Sequence, residues 1–465
     1  MAEEPPHDTT FEEFEGELDG VMVQPRQRGF DETREIWNGR LVDSPAVIAR
    51  CRSSTDVVAA VTFASDEGLP VAVKSGGHDY AGLSSPGEGL LIDVSAIDHV
   101  SVDPEARRAT VGPGASWGDL DESTQAHGLA TTGVTVSTVG VAGATLGGGT
   151  GHLARTQGLA LDNVASLEVA TAGGDLVEAS EDTNPDLFWA LRGGRGNFGV
   201  VTEFEFQLHE VGSEVVAGQA MHPIDDVIAV LEFYREFAAD MPDALTCYAF
   251  VIPIPPLEAF PEEIYGDPAI TLVASYVGPT SAGEAAIEPL REFGDPLFAD
   301  FGPMPYTALQ SMFDDGVPEG QRWYSRAHYI DEITDEAIDM VAEYAGDLHG
   351  PMTMAYVEPL GGAIAEIDSN ETAFPHRDAK YSFHILCGWM DAGRDQEMQA
   401  WTDAFYEAME PHARGGVYVN LLNEDEAERV PAAYGENYER LQRVKADWDP
   451  DNVFSLSHNI EPATE

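Results

Sequence analysis

A short apolar run, Leu69-Pro70-Val71-Ala72-Val73-Lys74, breaks into Ser75-Gly76-Gly77-His78-Asp79-Tyr80-Ala81-Gly82. The run reads as a buried strand. Paired glycines carry no Cβ, so the backbone there can come close to a large ligand. A histidine in such a turn either closes a tight loop or faces a ligand, and the rest of the chain has to decide between the two.

The texture around this junction is βαβ-like. Residues 1–43 read as an irregular arm with one helical piece. From Ser44 onward, Ala46 to Arg50 is strand-like, Ser53 to Glu67 is helical behind a Ser53-Ser54-Thr55-Asp56 start signal, and Val71 to Val73 is a strand. Leu90 to Val94, Arg108 to Val111, Val164 to Val169, Leu176 to Ala179 and Val200 to Phe206 are further strands. From about residue 214 amphipathic helices appear at 225–239, 281–293, 335–348 and 394–410, with strands at 246–252, 270–276, 353–358 and 381–389 between them. That alternation predicts an α+β layer, an antiparallel sheet backed by helices. Residues 415–465 form a final return segment.

Charge sets a separate constraint. The 465 residues carry 82 Asp and Glu against 24 Lys and Arg, a net charge of −58, and the only lysines are Lys74, Lys380 and Lys445. The carboxylates are scattered through a chain with the apolar content of a folded protein, so they do not make one disordered tail. Self-repulsion on this scale opposes compaction at ordinary salt and is screened when the Debye length shrinks to about 3 Å at molar salt. The expectation is a halophilic cytoplasmic protein that loosens when salt is withdrawn. Nucleic acid and membranes are not expected partners. Cys51, Cys247 and Cys387 are few, odd in number and widely spaced, which fits a reduced compartment. Met1 to Gly20 has no signal-peptide core, and no apolar run approaches the length of a membrane span.

A second glycine-rich stretch runs from Val139 to Leu153 and contains Gly140, Gly143, Gly147, Gly148, Gly149 and Gly151. Backbone N–H groups in such loops converge on anions, which suits a pyrophosphate-containing cofactor, although a plain glycine turn has the same composition. Gly194-Arg195-Gly196-Asn197-Phe198-Gly199 has GxGxxG spacing but precedes a strand, whereas the dinucleotide fingerprint must open a helix, so that reading is rejected. No GxxxxGK[ST], HExxH or CxxC occurs, and the histidines form no local metal-like cluster, so no metal is expected.

The separated motifs together resemble the berberine-bridge-enzyme-like branch of the vanillyl-alcohol-oxidase family, from about Ser44 to Ile460. The series is Ser75 to Tyr80, Thr138 to Gly143 with Gly147 to Gly149, Gly158 to Asn163, Asp186 to Gly194 running into Asn197 to Val201, Thr372 to Arg377, Tyr434 to Tyr438 and Asp449 to Phe454. The resemblance implies a PCMH-type FAD-binding domain over 44–213, a substrate domain over 214–414 and a C-terminal return to the FAD domain. It implies FAD, with His78 matching the histidine linked to the flavin 8α-methyl. The loop residues Ser75, Gly76, Gly77, Asp79 and Gly82 are carried over to the cofactor. So are Val136, Thr138, Val139, Gly140 and Gly143, then Gly148, Gly149, Asp162 and Asn163, and finally Gly199, Val200, Val201, Asn420 and Asn452. Relatives that add a second link use a cysteine at the position of Val136, so a single attachment is expected. Val139 stands where valine accompanies oxygen access, which favours an oxidase. Lys74 stands where arginine is common.

On the substrate side, Tyr80 matches a family tyrosine near the flavin. Alternation along 381–389 sends Tyr381, Phe383, Ile385, Cys387 and Trp389 to the helices and His384 to the open face. A histidine there can take a hydroxyl proton or simply bind or pack. Tyr418 lies in Tyr418-Val419-Asn420-Leu421, where relatives place a proposed basic tyrosine at the position of Leu421. Glu366 is expected to face solvent, and His376 to be structural. The implied activity is hydride transfer from a small alcohol or carbohydrate-like substrate, with oxygen reduced to hydrogen peroxide. An amine or alkaloid oxidase, a dehydrogenase of the same fold and a non-catalytic flavin-binding protein are the alternatives.

Overall fold

The computed structural model describes residues 8–41, 43–256 and 260–464. Residues 1–7, where the Met1–Gly20 reading begins, lie outside that range, as do 42, 257–259 and 465.

A four-stranded sheet carries the His78 loop. Its order is Val21–Val23, Val47–Arg50, Leu90–Asp93 and Val71–Lys74, the last three parallel. The crossover between Val47–Arg50 and Val71–Lys74 is the helix Ser54–Asp66, started by Ser53, whose Oγ accepts from Asp56 N. The His78 loop therefore leaves the carboxyl end of a parallel strand, where open sheets place ligands. The arm is more ordered than its sequence suggests. Phe14 on the helix Asp8–Glu17 stacks on Phe63 at 4.2 Å, and Val21–Val23 adds the antiparallel edge strand. Three residues are too few for a periodicity signal, and that strand exists only because a partner waits for it.

A five-stranded antiparallel sheet, Val100–Asp103, Arg108–Val111, Val200–Gln207, Val164–Ala170 and Leu176–Ser180, packs behind the glycine-rich stretch. Nearly half of that stretch becomes the short helix Val141–Gly147. The GxGxxG glycines do precede the strand Val200–Gln207.

The third sheet has seven antiparallel strands, ordered Phe298–Pro305, Glu214–Pro223, Pro268–Tyr276, Leu245–Pro253, Met354–Pro359, Tyr381–Trp389 and Arg322–Ile330. Sequence alternation finds the four central members and misses the other three. Phe298–Pro305 contains Pro303 and Pro305, tolerable only at an edge. Glu214–Pro223 is broken in texture by Gly218. Arg322–Ile330 looks polar because Arg322, Arg326 and His328 are internal. Arg326 pairs with Asp403, Asp425 and Glu426, and Arg322 pairs with Asp395. Helices cover one face of this sheet, where Phe383, Ile385, Cys387 and Trp389 pack, and the other face lines a cavity shared with the two smaller sheets. The three cysteines are buried and free, and no described helix is long and apolar enough to cross a membrane.

One buried carboxyl near the contact between the two parts is unusual. Asp121, on the helix Trp117–Gln125, has both oxygens buried without a hydrogen bond of good geometry, although Gln310 lies near. Burial pushes its pKa up to about 8. In the unfolded chain it ionises near about 4, so across that window the folded state holds a proton the unfolded state has lost. Its contribution to stability is full below about 4 and drains away as pH rises towards about 8. Asp121→Asn should therefore melt higher than the parent at alkaline pH and not at acid pH. Parallel pH dependences of Tm in the two proteins would contradict this.

Candidate active site

Between the sheets lies a cavity of about 890 Å³. The residues expected at the cofactor, Ser75, Gly76, Gly77, His78, Asp79, Val136, Val139, Gly140, Gly143, Gly199, Val200, Val201 and Asn420, line it, and so do Tyr80, His384 and Tyr418. The two glycine motifs meet backbone to backbone. A Cβ on Gly76 would come within 2.7 Å of Gly140 N, and one on Gly140 within 2.7 Å of Gly76 N. Only glycine allows that approach. Asp79 closes the loop internally, accepting from Ala81 N at 3.0 Å and Ser84 N at 2.9 Å. From the far wall, the Asp314 carboxylate accepts from Ser137 N and Oγ, at 2.8 and 2.5 Å, and so holds the segment between Val136 and Val139.

Other predicted cofactor residues stand off the cavity lining. Gly82 faces Leu41. Thr138 is second to His78, its Oγ1 lying 3.4 Å from Nε2. Gly148, at φ +151°, lies beneath the Tyr418 ring, and Gly149 N donates to Tyr418 Oη at 2.8 Å. Asp162 is held by Arg377 in a buried bidentate pair at 2.7 and 2.8 Å, a bridge from the glycine-rich segment to the Phe374-Pro375-His376-Arg377 run. Asn163 donates to Gln157 O and Leu159 O and meets His209. Asn452 sits at φ +55° in the turn after Asp449, and Asp449 forms a wholly buried pair with Lys445. Their contacts lie behind the lining. His376 likewise meets Ala432 O and Ala433 O, away from the cavity, and Glu366 is exposed.

The opposite wall is one register row of the seven-stranded sheet. Phe250 pairs with Tyr356 and Tyr356 with His384, so the three rings lie side by side, stacked at 4.7 and 4.3 Å. Both ring nitrogens of His384 are buried without a hydrogen bond, and Nε2 lies 3.2 Å from Glu358 Oε2 at an angle unsuited to one. Glu358 projects two residues beyond Tyr356, is buried, and has Thr150 Oγ1 at 3.4 Å; among the described residues no Lys or Arg pairs with it. Tyr418 Oη accepts from Asn420 Nδ2 at 3.0 Å as well as from Gly149 N. Burial pushes the Tyr418 and Tyr80 phenols up to about 12, so both are proton donors near neutrality. Burial lowers His78 to about 4 and keeps its imidazole neutral. Sequence reasoning missed Glu358, Arg195 and Trp37 on these walls. Glu358 was reachable by the alternation that identified His384, while Arg195 lay inside the discarded GxGxxG.

The FAD binding domain family profile matches residues 45–180, and the berberine and berberine-like profile matches 417–461. (R)-6-hydroxynicotine oxidase of Paenarthrobacter nicotinovorans is 30% identical over 468 residues, covering 96% of this chain and 97% of its own. The chain belongs to the berberine-bridge-enzyme-like family of FAD-linked oxidoreductases. Two solved structures of the same architecture are xylooligosaccharide oxidase from Myceliophthora thermophila with xylobiose and glucooligosaccharide oxidase from Acremonium strictum. The first has TM-score 0.86 and 25% identity, covering 98% of this chain and 100% of that one. The second has TM-score 0.85 and 25% identity, covering 96% and 98%, and carries a 6-S-cysteinyl, 8α-N1-histidyl FAD.

The family's FAD suits these residues. Gly76 and Gly140 leave a flat backbone floor, a Cβ on Gly143 would meet nothing within 4 Å, and Asn420 Oδ1 is buried without a partner. Arg195 brings a cation to the same wall.

Proposed function

We propose that this family member is an oxidase of small alcohols or carbohydrate-like substrates, with FAD tethered through His78 alone and oxygen as electron acceptor. The observation that carries the reading is His384, buried with neither nitrogen hydrogen-bonded and Nε2 beside Glu358, in the cavity that His78 also lines. Held by these residues, a flavin would supply the acceptor for a hydride from the substrate carbon. His384 takes the hydroxyl proton, with the Glu358 carboxylate beside it stabilising the imidazolium that forms. Tyr418, held by Gly149 and Asn420, donates to the substrate oxygen from the other side. Tyr80 and the aromatic row orient the ring being oxidised and exclude water.

The nature of Leu421 supports His384 as the base, because the position where relatives place a tyrosine is an aliphatic side chain lining the cavity. Val136 supports the single tether, since no thiol is available there for a second bond. A second reading, oxidation of an amine, is favoured by Glu358, a buried carboxylate beside an aromatic row and suited to a substrate cation. The charge of −58 supports a salt-rich cytoplasm as the place of work.

A screen of sugars, polyols, secondary alcohols and amines for peroxide release, paired with stopped-flow bleaching of the flavin, separates these readings. Bleaching by hydroxyl substrates and recovery with oxygen is the expected result. Bleaching without oxygen-dependent recovery points to a dehydrogenase, and bleaching only by amines to the second reading. The tether is checked separately: acid-denatured wild type should stay yellow, and His78→Ala should leave all flavin in the supernatant. Free FAD released from the wild type would defeat the tether.

A further inference from the structure

Trp37 lies in the N-terminal arm, to which the motifs of the family assign nothing, yet its indole stacks on His78 at 4.5 Å and 20°. The same indole stacks on Trp323 at 4.8 Å and 10°, and Tyr80 meets it edge-on at 5.3 Å. The segment is pinned on both sides. Trp37 N donates to Gly77 O at 3.0 Å, the indole Nε1 donates to Val317 O at 2.8 Å, and Gly320 N donates to Trp37 O at 3.0 Å. The next residue, Asn38, is wholly buried. Its Nδ2 donates to Tyr80 O and Trp323 O at 3.0 and 3.1 Å, and its Oδ1 accepts from Trp323 N at 3.0 Å. Three near-parallel rings thus register the imidazole of the cofactor loop against the strand Arg322–Ile330 of the seven-stranded sheet.

A histidine in a glycine-flanked loop has two free side-chain torsions and can turn its nitrogens in many directions. A ring face at stacking distance selects one plane. We propose that Trp37 is the positioning residue for covalent flavin attachment, holding the His78 imidazole in the plane from which a ring nitrogen reaches the flavin 8α carbon. The inference rests on the reading of His78 as the tether. Attachment replaces one C–H bond of the 8α-methyl and the imidazole N–H by a C–N bond. Two protons and two electrons leave those groups, and molecular oxygen takes them up as hydrogen peroxide. The neutral state in which burial holds His78 leaves a lone pair available for that bond.

The test compares full-length wild type, His78→Ala, Trp37→Phe and Trp37→Leu, each purified with its flavin and precipitated with acid. The readout is flavin per protein in the pellet. Phenylalanine keeps a ring face and leucine keeps only bulk, so a purely structural role would treat them alike. Trp37→Phe should stay within about twofold of wild type, and Trp37→Leu should fall about fivefold, the ratio set by an aromatic pair of ordinary strength. A Trp37→Leu pellet as yellow as wild type overturns the proposal, as does a Phe variant that falls as far as Leu. A colourless wild-type pellet, or a yellow His78→Ala pellet, overturns the tether itself and the proposal with it. If Trp37→Leu yields no soluble protein, Trp323→Leu carries the test. Removing the ring packed on Trp37 should lower attachment about twofold, and an unchanged pellet overturns the proposal.

Discussion

Replacing His384 by alanine is expected to lower kcat/KM by about 10²- to 10⁴-fold, the range associated with loss of a general base, with the flavin still attached. The expectation follows from position. His384 sits in the middle of the seven-stranded sheet, between Arg322–Ile330 and Met354–Pro359, so its backbone cannot shift to compensate. Its plane is set by Tyr356, and its nitrogens make no hydrogen bond inside the protein. A histidine needed only for packing is normally satisfied, because an unpaired buried polar group costs about 1–3 kcal/mol. His384→Gln keeps a donor near that place but loses the ring lone pair, so it should restore binding more than turnover. Rapid anaerobic mixing reads the reduction step directly. A loss under about tenfold in His384→Ala would shift the base to Glu358, the next acceptor on the wall, and Glu358→Gln would then show the larger defect.

Withdrawal of salt should have an equally large effect, on the fold itself. The cations are drawn inward: Arg326, Arg377 and Lys445 are buried against carboxylates, and Arg155 caps carbonyl oxygens of Leu245, Leu360 and Met241. With only 24 basic residues in total, most of the 82 acidic groups are left to repel one another on the surface. Dilution to about 0.01 M salt lengthens the Debye length to about 30 Å, the scale of a domain. Tm should rise by about 5 °C or more between about 0.1 M and about 3 M KCl, a stabilisation of a few kcal/mol. A Tm insensitive to KCl would contradict the reading of the charge.

The site was legible where residues are close in sequence and backbone chemistry leaves a trace. Gly76 announced a close approach to a ligand, where the structure shows its backbone against that of Gly140, and period-2 alternation placed His384 on the open face without any knowledge of its neighbours. What stayed hidden depends on partners distant in the chain. Glu358 is an ordinary strand residue until Thr150 and His384 surround it. Arg322–Ile330 reads as a polar surface until Asp403, Asp425 and Glu426 arrive from elsewhere. Trp37 has no local signal, because its meaning lies in His78 and Trp323. Asp162 was assigned to the cofactor by motif, yet Arg377 holds both its oxygens.

The distribution of lysines has a practical consequence. Lys445 is wholly buried against Asp449, and Lys74 Nζ is tied to the carbonyls of Thr33 and Glu35, while Lys380 is exposed. Of all the lysine side chains, therefore, one alone presents a free amine to the solvent. Among the lysines, an amine-reactive dye or an activated surface would couple through Lys380, next to the strand Tyr381–Trp389, so lysine coupling would fix every molecule at one point of that sheet.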